Sequence, residues 1–220
     1  MKPPTIEAAI FDMDGLMFDS EKVSCACWKE AAGKYGYRIT DELFLKTLGQ
    51  TVEISKKIYG EHFGDNFPFE AIKNERFKLG AEYYCNHGVP IKDGLPELLT
   101  YLKSHHIKTA VATSTPRENA LPIIKQAKVD CYFDAIVCGN EIARSKPDPE
   151  IFLNAALKLG VPPERCIVLE DSESGITAAS RARMKPILIP DLKEASNEIK
   201  KMAFQQFRSL RQVVQMLEEG

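Results

Sequence analysis

Two aspartates two residues apart, Asp12 and Asp14, close an apolar run that begins at Ile6, and Gly15 follows them at once. On an extended segment, residues i and i+2 project to the same side. Two carboxylates held together at the tip of a buried strand repel one another. A divalent cation is the usual relief, and Mg²⁺, a hard ion, favours oxygen ligands. Open α/β sheets place their ligands at the carboxyl ends of strands. An ordinary turn at Asp14-Gly15 is the competing account. An EF-hand loop is excluded by spacing: counted from Asp12, the sixth residue is Met17 rather than Gly, and the twelfth is Val23 rather than Glu.

Three more polar clusters follow apolar runs. The first is Thr113-Ser114-Thr115, where a hydroxyl and backbone N–H groups suit phosphate oxygens; a helix N-cap would use the same residues. The second is Lys146-Pro147-Asp148-Pro149. Its ammonium could offset crowded carboxylates and developing negative charge, or it could be a solvated lysine before a proline-initiated helix. The third is Glu170-Asp171-Ser172. Two acids closing an apolar strand could complete a metal shell. The alternative makes Asp171 the N-cap of a helix over Ser172–Arg183, with Glu170 exposed; capping and metal binding by Asp171 are compatible.

These clusters need elements to hold them. Short apolar runs at Ile6–Phe11, Thr109–Thr113, Ala135–Cys138 and Cys166–Leu169, with a shorter one at Pro186–Ile189, have the form of buried parallel strands. Helical spacing marks Leu95–Ser104 and Pro149–Leu159. The alternation predicts an α/β fold, a doubly wound parallel sheet with its strand tips along one edge. From about Ser20 to Gly88 the chain changes character. It lacks β-branched runs, and Glu21–Tyr35, Asp41–Leu48, Thr51–Tyr59 and Pro68–Asn86 are predicted helices. The expected organisation is a core of 1–18 and 89–220 with an inserted all-helical cap of 19–88, joined through Met17–Asp19 and Gly88–Asp93. Inserts at a ligand-bearing tip commonly act as lids. At the other end, Met202–Phe207 is expected to be a last strand, and Leu210, Val213, Val214 and Leu217 one face of a packing helix.

With a net charge of −2, nothing in the composition points to nucleic acid or an anionic membrane as a partner. No apolar run approaches the length of a membrane span, and no signal peptide is expected before the first strand. The six cysteines form neither a Cys-x₂-Cys metal pattern nor a secreted framework, so a reducing, cytoplasmic setting is expected. Nothing sets an oligomeric state, and a monomer is the default expectation.

Taken in order, the motifs Asp12–Glu21 (DMDGLMFDSE), Val111–Thr115 (VATST), Ser145–Phe152 (SKPDPEIF) and Leu169–Ala179 (LEDSESGITAA) resemble the haloacid dehalogenase-like superfamily, in its β-phosphoglucomutase-like phosphatase branch. The resemblance implies a Rossmann-like core with a helical cap. It implies Asp12 as nucleophile, forming an aspartyl-phosphate, and Asp14 as general acid and then base. It implies Mg²⁺ held by Asp12, the Asp14 carbonyl and Asp171, with Glu170 beside them, and phosphoryl oxygens cradled by Thr113, Ser114 and Lys146. A dehalogenase needs no acid at Asp14, and that residue likewise argues against a phosphonatase Schiff base on Lys22.

Within the branch, a mutase carries a His and an Arg in its cap. Here those positions hold Ser24 and Val52, the latter in Gly49-Gln50-Thr51-Val52. The expected activity is therefore hydrolysis of a small phosphorylated metabolite such as a sugar phosphate or nucleoside monophosphate. A phosphosugar mutase is the alternative, and a non-enzymatic phosphate-binding or partner-binding module is an alternative of another class. Trp28 matches a mutase position but equally suits a helix core. Glu21, Lys22, Trp28, Gly49, Gln50 and Arg76 are the cap residues that could face a substrate, Arg76 being equally suited to the surface.

Overall fold

A computed structural model of the chain describes residues 6–219. The outermost parts of the expected core range, 1–5 and 220, lie outside the described residues. The chain divides into two compact units, one of residues 6–19 and 90–219, the other of Ser20–Val89.

The first unit is built on six parallel strands: β1 (Ala8–Phe11), β2 (Lys108–Thr113), β3 (Ala135–Cys138), β4 (Cys166–Glu170), β5 (Lys185–Leu188) and β6 (Gln205–Gln206). Their spatial order is β3-β2-β1-β4-β5-β6. β1 lies between β2 and β4, with Phe11 opposite Val111 on one side and Leu169 on the other. The chain leaves β1 for β2 on one side and later reaches β4 on the other. The order therefore reverses at β1, and in open α/β sheets such a reversal opens a crevice above the strand tips. Strand residues alternate between faces. Ala8, Ile10, Ala110, Ala112 and Val168 form one face, buried with Phe152, Ala155 and Ala178 of the covering helices α7 (Glu150–Leu159) and α8 (Glu173–Arg181). Ala9, Phe11, Val111, Ile167 and Leu169 turn the other way and are as fully buried. Burial on both faces is why these strands are unbroken apolar runs.

Helix α5 (Leu95–Ser104) packs on β2, and the terminal helix α10 (Leu210–Glu219) packs on α5, burying Leu210 and Val213. The Tyr101 hydroxyl donates to the Leu217 carbonyl across that pair. Between β5 and β6 the chain forms α9 (Asn197–Met202), where Ser196 Oγ accepts from Ile199 N. The expected strand over Met202–Phe207 thus shortens to two exposed glutamines. The helix that Ser196 caps runs on to Met202, the first residue of the expected strand, and an edge strand needs no apolar face.

The second unit is helical: α1 (Ser20–Lys34), α2 (Asp41–Leu45), α3 (Val52–Phe63) and α4 (Phe69–His87). Thr40 and Thr51 cap α2 and α3 by accepting from Leu43 N and Ile54 N. Its core is aromatic, with Trp28, Tyr59, Phe67 and Phe69 ring to ring. No helix among the described residues is long and apolar enough to cross a membrane. All six cysteines are free.

Candidate active site

The site begins where β1 ends. Asp12 continues the strand, its N–H bonded to the Leu169 carbonyl, and its side chain is buried. The chain then turns back: Met17 and Phe18 N–H groups return to the Met13 carbonyl, and Gly15 N–H reaches the Phe18 carbonyl. Gly15 has φ +80°, which an L side chain rarely adopts, and a Cβ there would lie 2.4 Å from Asp171 Oδ2. The Asp14 turn therefore lies directly against the Asp171 carboxylate.

Lys146 stands at the centre. Its ammonium donates to Asp12 Oδ1, to Glu170 Oε1 at 2.7 Å and to the Ala112 carbonyl at 3.1 Å, and it lies 5.0 Å from the centre of the Phe152 ring. All three protons are thus used. The loop that carries it is fixed from several sides. Glu150 accepts from Ala143 N and Arg144 N, Asp148 Oδ1 accepts from Glu150 N, and Arg181 donates to the Pro147 carbonyl.

Glu170 is fully buried. Beyond Lys146, its Oε2 accepts from Ser172 N and Ser172 Oγ. The helix after it begins at Glu173, and its N-cap is Ser172, whose hydroxyl accepts from Gly175 N. The alternative of an exposed Glu170 with Asp171 as cap is overturned on both counts. Asp171 is left out of the capping role because Ser172 fills it with a shorter side chain in extended backbone. Gly175 makes room for the glutamate, since a Cβ there would fall 1.9 Å from Glu170 Cδ.

Two carboxylates share one ammonium, and the electrostatics follow. Burial is the main force on Asp12 and raises its carboxyl; Lys146 opposes this, Glu170 and Asp14 reinforce it, and the result is about 7. Burial would lower the Lys146 ammonium, yet the charges of Asp12 and Glu170 hold it above its ordinary value. A further cation is the direct way to relieve such excess negative charge. Among the described residues no three His, Cys, Asp or Glu side chains are gathered around one metal position.

At the β2 tip, Thr113 is buried and its Oγ1 accepts from Thr115 N at 3.0 Å. Thr115 in turn donates its hydroxyl to Asp14 Oδ2 at 2.8 Å. This contact, across 101 residues of sequence, was missed as a pair; the only sequence signal is the third hydroxyl of Thr113-Ser114-Thr115. The β3 tip supports the same loop. Gly139 N–H donates to the Thr115 carbonyl, and a Cβ on Gly139 would lie 2.0 Å from the Ser114 carbonyl oxygen.

The structure thus brings together Asp12, Asp14, Thr113, Ser114, Lys146, Glu170 and Asp171 on neighbouring tips of one sheet. The cap residues are a separate matter. Trp28 is packed against Tyr59 and Phe69 at ring distances of 5.2 and 5.6 Å, so packing accounts for it and we assign it to the cap core. Gly49 is exposed with φ +69°. Arg76 is half-buried instead of standing free on the surface. Its Nε and Nη2 both donate to Ser24 Oγ, at 3.2 and 2.7 Å.

Comparison with known proteins gives the family. Residues 9–189 match the family model described as haloacid dehalogenase-like hydrolase. A phosphorylated carbohydrates phosphatase of Thermotoga maritima is 34% identical over 184 residues, 83% of this chain and 84% of that protein. Hexitol phosphatase B of Escherichia coli is 30% identical over 89% of this chain and 88% of its own length. Among solved structures, a β-phosphoglucomutase from Clostridium difficile superposes with a TM-score of 0.79 at 26% identity, covering 98% of both chains.

Proposed function

This chain belongs to the haloacid dehalogenase-like hydrolase family, in its phosphatase branch, and from that premise we propose that it hydrolyses a small phosphate monoester, a sugar or polyol phosphate or a nucleoside monophosphate, through an aspartyl-phosphate on Asp12 with Mg²⁺ as cofactor. The observation that carries the reading is the pairing of two differently held aspartates. Asp12 is buried against Lys146, and Asp14 accepts a hydroxyl proton from Thr115.

The residues fit the metal. Asp12, the Asp14 carbonyl and Asp171 are hard oxygen donors, and the glycine at position 15 lets the last two approach. Two carboxylates and a carbonyl suit an ion that keeps several of its waters. When bound, Mg²⁺ offsets the charge that opposes a carboxylate approaching a phosphate dianion.

Lys146 fixes the rotation of the Asp12 carboxylate through Oδ1 and sets a positive charge beside the attacked phosphorus. Glu170, with both oxygens taken by protein donors, orients Lys146. The Thr113 hydroxyl and the backbone at Ser114 face the transferring oxygens. Asp14 protonates the leaving alcohol, then takes a proton from the water that cleaves the aspartyl-phosphate. Thr115 holds its carboxyl in the orientation both steps need.

The mutase alternative has the likeness to β-phosphoglucomutase in its favour. Against it, Val52 is an exposed apolar residue in the first turn of α3, where a cation is required. The deciding experiment is phosphate release from a panel of sugar, polyol and nucleoside monophosphates with Mg²⁺ or EDTA, beside Asp12→Asn. Release that needs Mg²⁺ and vanishes in the variant is expected. No release from any member, with turnover of β-glucose 1-phosphate plus a bisphosphate primer, would transfer the assignment to the mutase.

A further inference from the structure

Asp191 lies three residues beyond β5, on a strand tip that none of the motifs touches. Its side chain is 9% exposed. Oδ1 accepts from the Lys92 ammonium at 2.5 Å, whereas Oδ2 is sealed from solvent and receives no hydrogen bond. A buried carboxylate oxygen without a donor is unfavourable and signals a missing partner. Its neighbourhood says which. The ideal Cβ position on Gly15 lies 3.4 Å from Asp191 Oδ2 and 2.4 Å from Asp171 Oδ2. The two carboxylates converge on the same side of the turn that carries Asp14.

We propose that Asp191 is an outer carboxylate of the metal site, its Oδ2 accepting a hydrogen bond from a water in the hydration shell of the divalent cation held by Asp12 and Asp171. The inference rests on the Mg²⁺-phosphatase reading of that site. Mg²⁺ surrenders its waters reluctantly, so acceptors just outside the ligand set contact the ion through them. Lys92 occupies Oδ1, and Oδ2 is the oxygen on the Gly15 side. The lysine also neutralises part of the charge of Asp191, with Asp19 Oδ1 3.6 Å away from its ammonium. Removing an acceptor of this kind typically weakens metal binding about 10- to 100-fold.

The test is calorimetric titration of the metal-free protein with Mg²⁺ alone, and relaxation titration with Mn²⁺ alone, no substrate being present. Wild type, Asp191→Asn and Lys92→Met are compared. Asp191→Asn keeps the shape of the side chain and is expected to raise Kd at least fivefold. Lys92→Met is expected to leave Kd unchanged or lower it, because it removes a cation next to the site. A loss under fivefold in Asp191→Asn overturns the proposal. So does weaker binding in Lys92→Met, which would make Asp191 a structural partner of the lysine. A wild type that binds neither ion overturns the metal site itself. A wild type that binds normally beside an unaffected Asp191→Asn overturns the role of Asp191 alone.

Discussion

Asp12 is costly to the metal-free protein, and its cost depends on pH. Near pH 4 folded and unfolded chains both hold much of the proton. Between the ordinary value of 3.8 and about 7 only the folded chain keeps it, so folding stability falls as pH rises through that window and levels off above it. Asp12→Asn removes the titration. Its thermal midpoint without metal is expected to gain on wild type by about 3 °C or more between pH 5 and pH 8, a shift that corresponds to roughly 1 kcal/mol in a protein of this size. An equal gap at both pH values would refute the account. Thr115→Val tests the other aspartate. Losing the hydroxyl donor to Asp14 Oδ2 is expected to lower kcat about tenfold on alkyl phosphates and much less on p-nitrophenyl phosphate, whose leaving group needs no acid. Equal losses on both would count against general-acid positioning. Asp12, Asp14 and Lys146 were visible in the sequence because acids and a lysine at the ends of apolar runs are conspicuous. The Thr115–Asp14 pair was not, since it depends on how one loop folds over another. The full burial of Glu170 was hard to foresee for a related reason. An acid beside an acid suggests solvent, and only the absence of a Cβ at Gly175 admits it to the interior.

Among the elements, the five apolar strands were legible because parallel strands buried on both faces admit almost nothing but apolar residues. β6 was not, being two exposed glutamines on an edge. After β4 the helix cap shifted by one residue because the Ser172 hydroxyl fills the role open to Asp171. The loops between elements carry their own requirement for small residues. Gly139→Ala would force a methyl group to within 2.0 Å of the Ser114 carbonyl oxygen, and backbone cannot yield as a side-chain end can. The β2 tip should shift, with kcat reduced at least tenfold and the thermal midpoint only a few degrees lower; wild-type kcat would show that this loop does not position the chemistry.

For the whole molecule, the division into two units has a visible seam. The Asp19 N–H donates to the Pro90 carbonyl at 2.8 Å, and the Lys92 N–H to the Met17 carbonyl at 2.9 Å. The segment leaving the first unit and the segment returning to it are hydrogen-bonded neighbours. Replacing Ser20–Val89 by a short Gly-Ser link is therefore expected to leave a protein that unfolds in one cooperative thermal transition and keeps its sheet by circular dichroism. Loss of that transition would show that the first unit needs the second to fold. The aromatic core of the second unit was harder to foresee than its helices, because Trp28 carries a family likeness as well as a packing role, and contacts alone separate the two.

The seam also bears on ancestry. A segment spliced in between two positions already tied to each other lengthens a chain without reordering any strand. One contiguous stretch of gene can then be exchanged while the strand order of the first unit is inherited untouched.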